Sequence, residues 1–297
     1  MPASLTPLFR CAVLALFVFA SSCAQPVKPA PAAPEIIPAQ APAAVVPAAA
    51  AAAAPIAALA ADAVPPPSAE KLDAFIAETA KSSGMPAQQI RNWLGQARYQ
   101  QSIINAITRP AEGKPWKDYR PIFLTETRIS QGRAFYAEHK SEIDKVSKDT
   151  GVPGEIIVAI IGVETSYGRI TGSYRVLDAL YTLAFYYPRR EEFFRSELSH
   201  LFALAREENL DLATLKGSYA GAMGFGQFMP SSYRNYAKDG DGDGRRDLLG
   251  STRDAFASVA NYFIGYGWHT GEPVFLPGSA DAGAAPFKPD DFVAKYT

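Results

Sequence analysis

From about residue 69 onward apolar residues recur at spacings of three and four, the period that gathers them on one side of a helix. Breakers punctuate the pattern. Pro86, Pro153 and Pro188 stand where a first helical turn would begin, and Gly84, Gly151 and Gly172 stand where the previous helix would end. Long alternating runs between Gly-Pro turns, which would signal strands, are missing. The pattern predicts a mostly α, compact body with two lobes and a groove between them.

Inside that body the stretch GEIIVAIIGVETSYGR, residues 154–169, predicts a helix starting at Pro153. Positions 157, 160, 161 and 164 then share a face, so Glu164 ends a stripe of Ile157, Ile160 and Ile161. A charged carboxylate on an apolar stripe is costly, so its pKa is expected to rise, which suits a proton donor. Pairing with an arginine or capping backbone amides is the ordinary role for such an acid. The TSYG that follows sets Glu164 at a helix end that opens into a polar, glycine-containing turn, where solvent or substrate can arrive, and this favours the catalytic role.

Ahead of the helical body the pattern changes twice. Residues 12–20, AVLALFVFA, are an apolar run too short to span a bilayer comfortably; Arg10 precedes it and small residues follow, the layout of a secretory signal peptide over 1–22. Residues 24–68 are almost entirely Ala and Pro and cannot bury a core. In polyproline form they reach on the order of 140 Å, so 23–68 reads as a tether to a catalytic domain over 69–297. The only cysteines are Cys11 and Cys23, which excludes a disulfide framework. Ala20-Ser21-Ser22-Cys23 resembles a bacterial lipobox, with Ala where Leu is usual three before the cysteine; lipidation at Cys23 would anchor the chain without spanning. Ala24 carries no inner-membrane retention cue of the Asp kind, so an exported, periplasmic, outer-membrane-anchored lipoprotein is expected.

Two further stretches carry chemistry. In KGSYAGAMGFGQFMPSSY, residues 216–233, Gln227 is the single side-chain amide among glycines and apolar residues. This is either a bend that lets helices pack closely or a sugar-reading loop, in which glycines admit a flat ligand, apolar side chains such as Met223 meet sugar faces, and the amide reads hydroxyl or acetamido groups. In DGDGDGRRDLLGSTRD, residues 239–254, Asp239, Asp241 and Asp243 occupy the first, third and fifth places of an EF-hand-like loop, with Gly244 sixth and the Arg245 carbonyl seventh. Gly250 stands at the twelfth place, where a bidentate acid belongs, so the closing ligand must be Asp247 or Asp254. Ser251 to Asp254 also reads as a capping box for the next helix. Calcium is favoured over a solvated turn. Net charge is −1 and no basic block appears, so no nucleic-acid partner is expected; the three histidines accompany no cysteine pair, and zinc is unsupported.

Taken in order, GVETSYGR, LDALYTLAFYYPRREEFF, LKGSYAGAMGFGQFMPSSYRNYA, DGDGDGRRDL, SVANYF and GW resemble the membrane-bound lytic murein transglycosylase B family over roughly residues 70–274. The resemblance implies a mostly α, lysozyme-like fold that cleaves the bond between N-acetylmuramic acid and N-acetylglucosamine in peptidoglycan and leaves a 1,6-anhydromuramoyl end without using water. It implies Glu164 as the single catalytic acid, Tyr119, Arg189, Arg190, Ser218, Gln227 and Tyr262 along the saccharide groove, and Asp239, Asp241, Asp243, Arg245 and Asp254 as a structural calcium loop. No organic cofactor is expected; the partners are peptidoglycan glycan strands and a membrane, and the state a monomer. Members continue past GW with a segment that helps close the groove, whereas here a Gly, Ala, Pro-rich stretch runs to Thr297, so part of the groove is expected to be absent or replaced. A hydrolytic muramidase and a tethered peptidoglycan-binding scaffold without turnover are the rival readings.

Overall fold

The computed structural model describes residues 64–109 and 114–274. The leader at 1–22, Cys23, the linker up to residue 63 and residues 275–297 lie outside the described residues. Helices dominate, in the order α1 (Ala69–Ser83), α2 (Ala87–Leu94), α3 (Gln101–Ile107), α4 (Trp116–Tyr119), α5 (Glu126–Glu138), α6 (Lys140–Thr150), α7 (Gly154–Thr165), α8 (Val176–Tyr186), α9 (Glu191–Glu207), α10 (Pro230–Tyr236) and α11 (Thr252–Gly265). The strands β1 (Tyr174–Arg175) and β2 (Lys216–Gly217) form one two-residue antiparallel pair, Tyr174 opposite Gly217 and Arg175 opposite Lys216. None of the described helices is long and apolar enough to cross a membrane.

The helix ends follow local chemistry. Ser68 caps α1 by accepting from Lys71 N at 3.2 Å, and Gly84 closes it with a left-handed φ of 66°. Gly151, at φ 72°, closes α6 in the same way. Pro86 and Pro153 stand at the cap positions of α2 and α7, one residue ahead of the first helical turn. Gly172 does not end a helix: α7 stops at Thr165, where Ser166 takes the left-handed conformation, and Gly172 (φ 103°) instead lets its backbone approach β2, since a Cβ there would lie 2.1 Å from Gly217 O.

The core centres on α8, most of whose residues are buried and which packs most extensively against α9. Such a helix, apolar nearly all round, is stable only when surrounded. Two of its polar residues are used to hold the N-terminal helices: Asp178 accepts from Arg98 N at 2.8 Å, and Thr182 accepts from Gln100 N at 3.1 Å. Helix α7 inserts Ile157 and Ile161, both fully buried, and each burial contributes about 1.5–3 kcal/mol. Gly162 on the same helix faces the ring of Tyr167, and a Cβ there would meet that ring at 2.7 Å, so Gly162→Ala would break this packing. α7 packs on α5, α6 and α11, which leaves its C-terminal end facing the turn and loop that build the site.

Candidate active site

Glu164 is partly buried at the last turn of α7, with Oε2 sealed from solvent. The chain leaves the helix through Ser166 (φ 54°) and Tyr167 (φ 64°), two consecutive non-glycine residues in the left-handed region. Such conformations are strained, and they persist where surroundings enforce them, commonly beside functional groups. Here the enforcing contacts are visible. The Tyr167 ring lies between Gly132 of α5 and Gly162 of α7, its hydroxyl donates to Arg128 O at 2.9 Å, and Arg128 Nη1 donates to Gly162 O at 3.2 Å. Burial pushes the Tyr167 hydroxyl above its ordinary pKa, which keeps it neutral and donating.

Thr165, next to the acid, ties this turn to a loop sixty residues on. Its hydroxyl lies 2.8 Å from Phe225 O and accepts from Gly168 N at 3.0 Å. Gly168 approaches Phe225 so closely that a Cβ would stand 2.1 Å from the ring. Phe225 belongs to a tight hairpin closed by the Met223–Phe228 bridge, with both backbone bonds at 2.9 Å. Gln227 occupies the left-handed position of that hairpin (φ 49°), where glycine would be easier. Its Nε2 donates to Thr171 O at 3.1 Å and to Gly224 O at 3.0 Å, and two carbonyl partners fix which end of the amide is nitrogen. The other end, Oε1, is buried and meets no hydrogen-bond donor among the described residues. An acceptor in that state calls for a donor from a ligand or water.

The acidic loop braces this hairpin from behind. Leu248 O accepts from Phe225 N at 3.1 Å, and Gly224 (φ 73°) has no room for a Cβ, which would fall 2.2 Å from the same carbonyl. The fully buried Tyr233 fixes Leu248 in turn, its hydroxyl donating to Arg246 O and accepting from Leu248 N at 3.0 Å. Within the acidic loop Asp239, Asp241 and Asp254 each offer a carboxylate oxygen, all within 4.8 Å of one another. Of the two candidates for the closing position, Asp254 joins the cluster, while Asp247 accepts from Leu249 N and Gly250 N. Asp254 also sits in the cap of α11, where Ser251 Oγ accepts from its N–H at 3.2 Å, yet its carboxylate turns back to Gly240 N and Asp247 N. It is only 1% exposed, and burial followed by the nearby Asp241 charge raises its pKa. A buried acid beside a second acid is a poor arrangement unless a cation neutralises it, and an all-oxygen donor set suits calcium. Asp243 stands outside this cluster and accepts from Arg245 N at 2.8 Å; both residues are exposed.

The remaining expected residues are spread around this centre. Ser218 is buried, with Oγ accepting from Ala220 N and Ala222 N, so it shapes its own turn. Met223 is fully buried and supports the hairpin from within. Tyr262 packs edge-on against Phe228 at 5.7 Å and stacks on Tyr266 at 4.6 Å. Arg189 is exposed in the 3-10 turn Pro188–Arg190, and Arg190 lies 4.1 Å over the Phe193 ring. The arginines do not neutralise Glu191, which pairs with Lys71 and Arg195 instead. Tyr119 lies between Trp116, at a tilt, and Phe123, edge-on. Sequence reasoning missed Thr165, Tyr167 and Leu248, whose partners lie far off in the chain; lone glycines at 132 and 162 were the one local trace of the Tyr167 seat. It also missed Glu197, a buried acid that accepts from Ser231 N and Oγ at the start of α10. A separate cavity of about 710 Å³ between α1 and α9, lined by Thr79, Ser82, Arg195 and His200 among others, includes neither Glu164 nor Gln227.

The transglycosylase SLT domain model matches residues 67–290. Membrane-bound lytic murein transglycosylase B of Escherichia coli (strain K12) is 42% identical over 233 residues, which is 75% of this chain and 63% of that protein, so the chain spans under two thirds of the curated relative's length. Among solved structures, the catenated lytic transglycosylase SltB1 from Pseudomonas aeruginosa is 50% identical with a TM-score of 0.66, over 69% of this chain and 68% of that one. The Escherichia coli lytic transglycosylase Slt35 in complex with calcium is 43% identical with a TM-score of 0.63, over 68% of this chain and 65% of that one. The mostly helical, lysozyme-like fold expected from the sequence is the fold these proteins share. With a family model covering most of its length and that fold around Glu164, the chain belongs to the transglycosylase SLT domain family.

Proposed function

We propose that this chain is a peptidoglycan lytic transglycosylase that cleaves the β-1,4 bond between N-acetylmuramic acid and N-acetylglucosamine and leaves a 1,6-anhydromuramoyl end. One observation carries the reading: a half-sealed carboxylate, Glu164, ends an apolar helix at a strained turn tied by hydrogen bond to the hairpin bearing Gln227, whose buried Oε1 awaits a donor. Neutral Glu164 donates its proton to the glycosidic oxygen as the bond from that oxygen to the muramoyl anomeric carbon breaks. The substrate's acetamido oxygen stabilises the positive charge left on that carbon. The Glu164 carboxylate then takes the proton of the muramoyl C6 hydroxyl, whose oxygen bonds to the anomeric carbon. Glu164 is protonated again, and no water is consumed. Gln227 orients an acetamido or hydroxyl donor, with Ser218 and Met223 holding the loop's shape; Tyr119 and Tyr262 flank the sugars, and Arg189 or Arg190 meets a lactyl or peptide carboxylate.

Asp239, Asp241 and Asp254 would hold a calcium ion, with Asp243 and the Arg245 carbonyl as the further ligands the loop pattern expects, and the ion would supply charge neutralisation to the loop whose Leu248 O accepts from Phe225 N of the hairpin. The name of the Escherichia coli relative, membrane-bound and murein-directed, supports the substrate class and an association with a membrane. The sequence pattern supports a signal peptide over 1–22, a lipid anchor at Cys23, a tether over 23–68 and, with them, periplasmic placement at the outer membrane. The test is Glu164→Gln on purified sacculi with products resolved by mass. Release of anhydro-ended fragments should fall by at least about 10²-fold with the melting temperature unchanged. Near-native release by the variant would overturn the assignment, and hydrated ends from the native chain would make it a hydrolase.

A further inference from the structure

Trp116, at 69% exposure, is the most exposed large apolar side chain among the described residues. A single exposed apolar residue is ordinary on a protein surface. This one is not isolated. Trp116, Tyr119 and Phe123 form a run of rings with centroids 6.3 Å and then 5.1 Å apart, and none of the three belongs to the hydrophobic core. The guanidinium of Arg128 lies 5.5 Å over Phe123, and the same side chain donates to Gly162 O, two residues before Glu164. A continuous line of contacts therefore joins the exposed indole to the helix that carries the acid, while the fold gains no core packing from the three rings.

We infer that Trp116 is an outer saccharide platform of the same groove, taking the apolar face of an N-acetylated pyranose in a glycan strand beyond the sugars flanking the cleaved bond. This rests on the function proposed above. An indole face offers a large, rigid apolar area at little entropic loss, and the C–H face of a pyranose is its complement. The platform acts on binding of long glycans and not on the chemical step, so Trp116 is a positioning residue.

The experiment uses the full chain carrying E164Q, which removes turnover, and tetra-N-acetylchitotetraose as the probe. Calorimetry should give binding that weakens about 3- to 10-fold on adding W116A and recovers with W116F. Tryptophan fluorescence should shift saturably with the tetramer and lose that response in E164Q/W116F, because the other two tryptophans, Trp93 and Trp268, pack against the core. On sacculi, W116A alone should raise KM and leave kcat and the melting temperature unchanged. W116Q serves in its place if the alanine alters melting. Tetramer binding by E164Q that W116A leaves intact would overturn this inference alone; no tetramer binding by E164Q itself would overturn the groove reading and this inference with it.

Discussion

The brace between the acidic loop and the hairpin can be tested at one atom. Gly224→Ala adds a methyl group at φ 73°, where an L side chain costs about 1–2 kcal/mol. The same methyl would fall 2.2 Å from Leu248 O, a backbone atom that cannot swing aside, so overpacking adds about 1–3 kcal/mol. Gly84→Ala is the matched control: its φ is 66°, it also accepts the conformational penalty, and nothing lies within 4 Å of its Cβ position. Subtracting the control leaves the steric part, about 1–3 kcal/mol, which in a body of this size is about 2–12 °C of melting temperature. Circular-dichroism melts of both variants measure it. Anhydro-fragment release measured where both are folded should fall for Gly224→Ala alone, because displacing Leu248 displaces the hairpin that carries Gln227. Equal melting temperatures for the two variants would refute the claim that Leu248 is packed rigidly against Gly224.

Calcium should raise the melting temperature by an amount equivalent to about 2.7 kcal/mol at a hundredfold excess over Kd, and a chelator should reverse it. Asp254→Asn should abolish that shift, while Asp243→Asn, outside the carboxylate cluster, should only reduce it; a chelator without effect on the native chain would count against the ion. Burial raises the pKa of Glu197, against the smaller opposing effect of its bonds from Ser231. A raised folded-state pKa means that the native state holds the proton longer than the unfolded chain, so this group's contribution is fully present below the ordinary carboxylate value and is lost as pH rises through the raised one. Glu197→Gln should therefore flatten the decline of melting temperature as pH rises above the ordinary glutamate value of about 4.3, and an unchanged pH profile would show that Glu197 is not its source.

The chemistry-bearing stretches were legible because each is local. The Ile157, Ile160, Ile161, Glu164 stripe needs only the helical period, and the 239–243 acids need only their own spacing. The left-handed caps at Gly84 and Gly151 were equally readable, since glycine removes a penalty that any other residue would bear there. Gly172 misled for the same reason in reverse: a positive φ can serve a close backbone approach as well as a helix end, and only the presence of β2 distinguishes the two. The choice between Asp247 and Asp254 was also beyond the sequence, because both are acids at workable distances along the chain.

By itself, then, the sequence determined the helical class, the punctuation of the helices, the acid at the end of α7 and the acidic loop, all of which depend on neighbours within a turn or two. The tertiary structure alone decided that Thr165 reaches Phe225, that Leu248 braces Gly224, and that Tyr167 fills the gap between Gly132 and Gly162. Those contacts join residues tens of positions apart. Their partners are chosen by which surfaces the packing of α5, α7 and the loops brings together, and no periodicity along the chain records that choice.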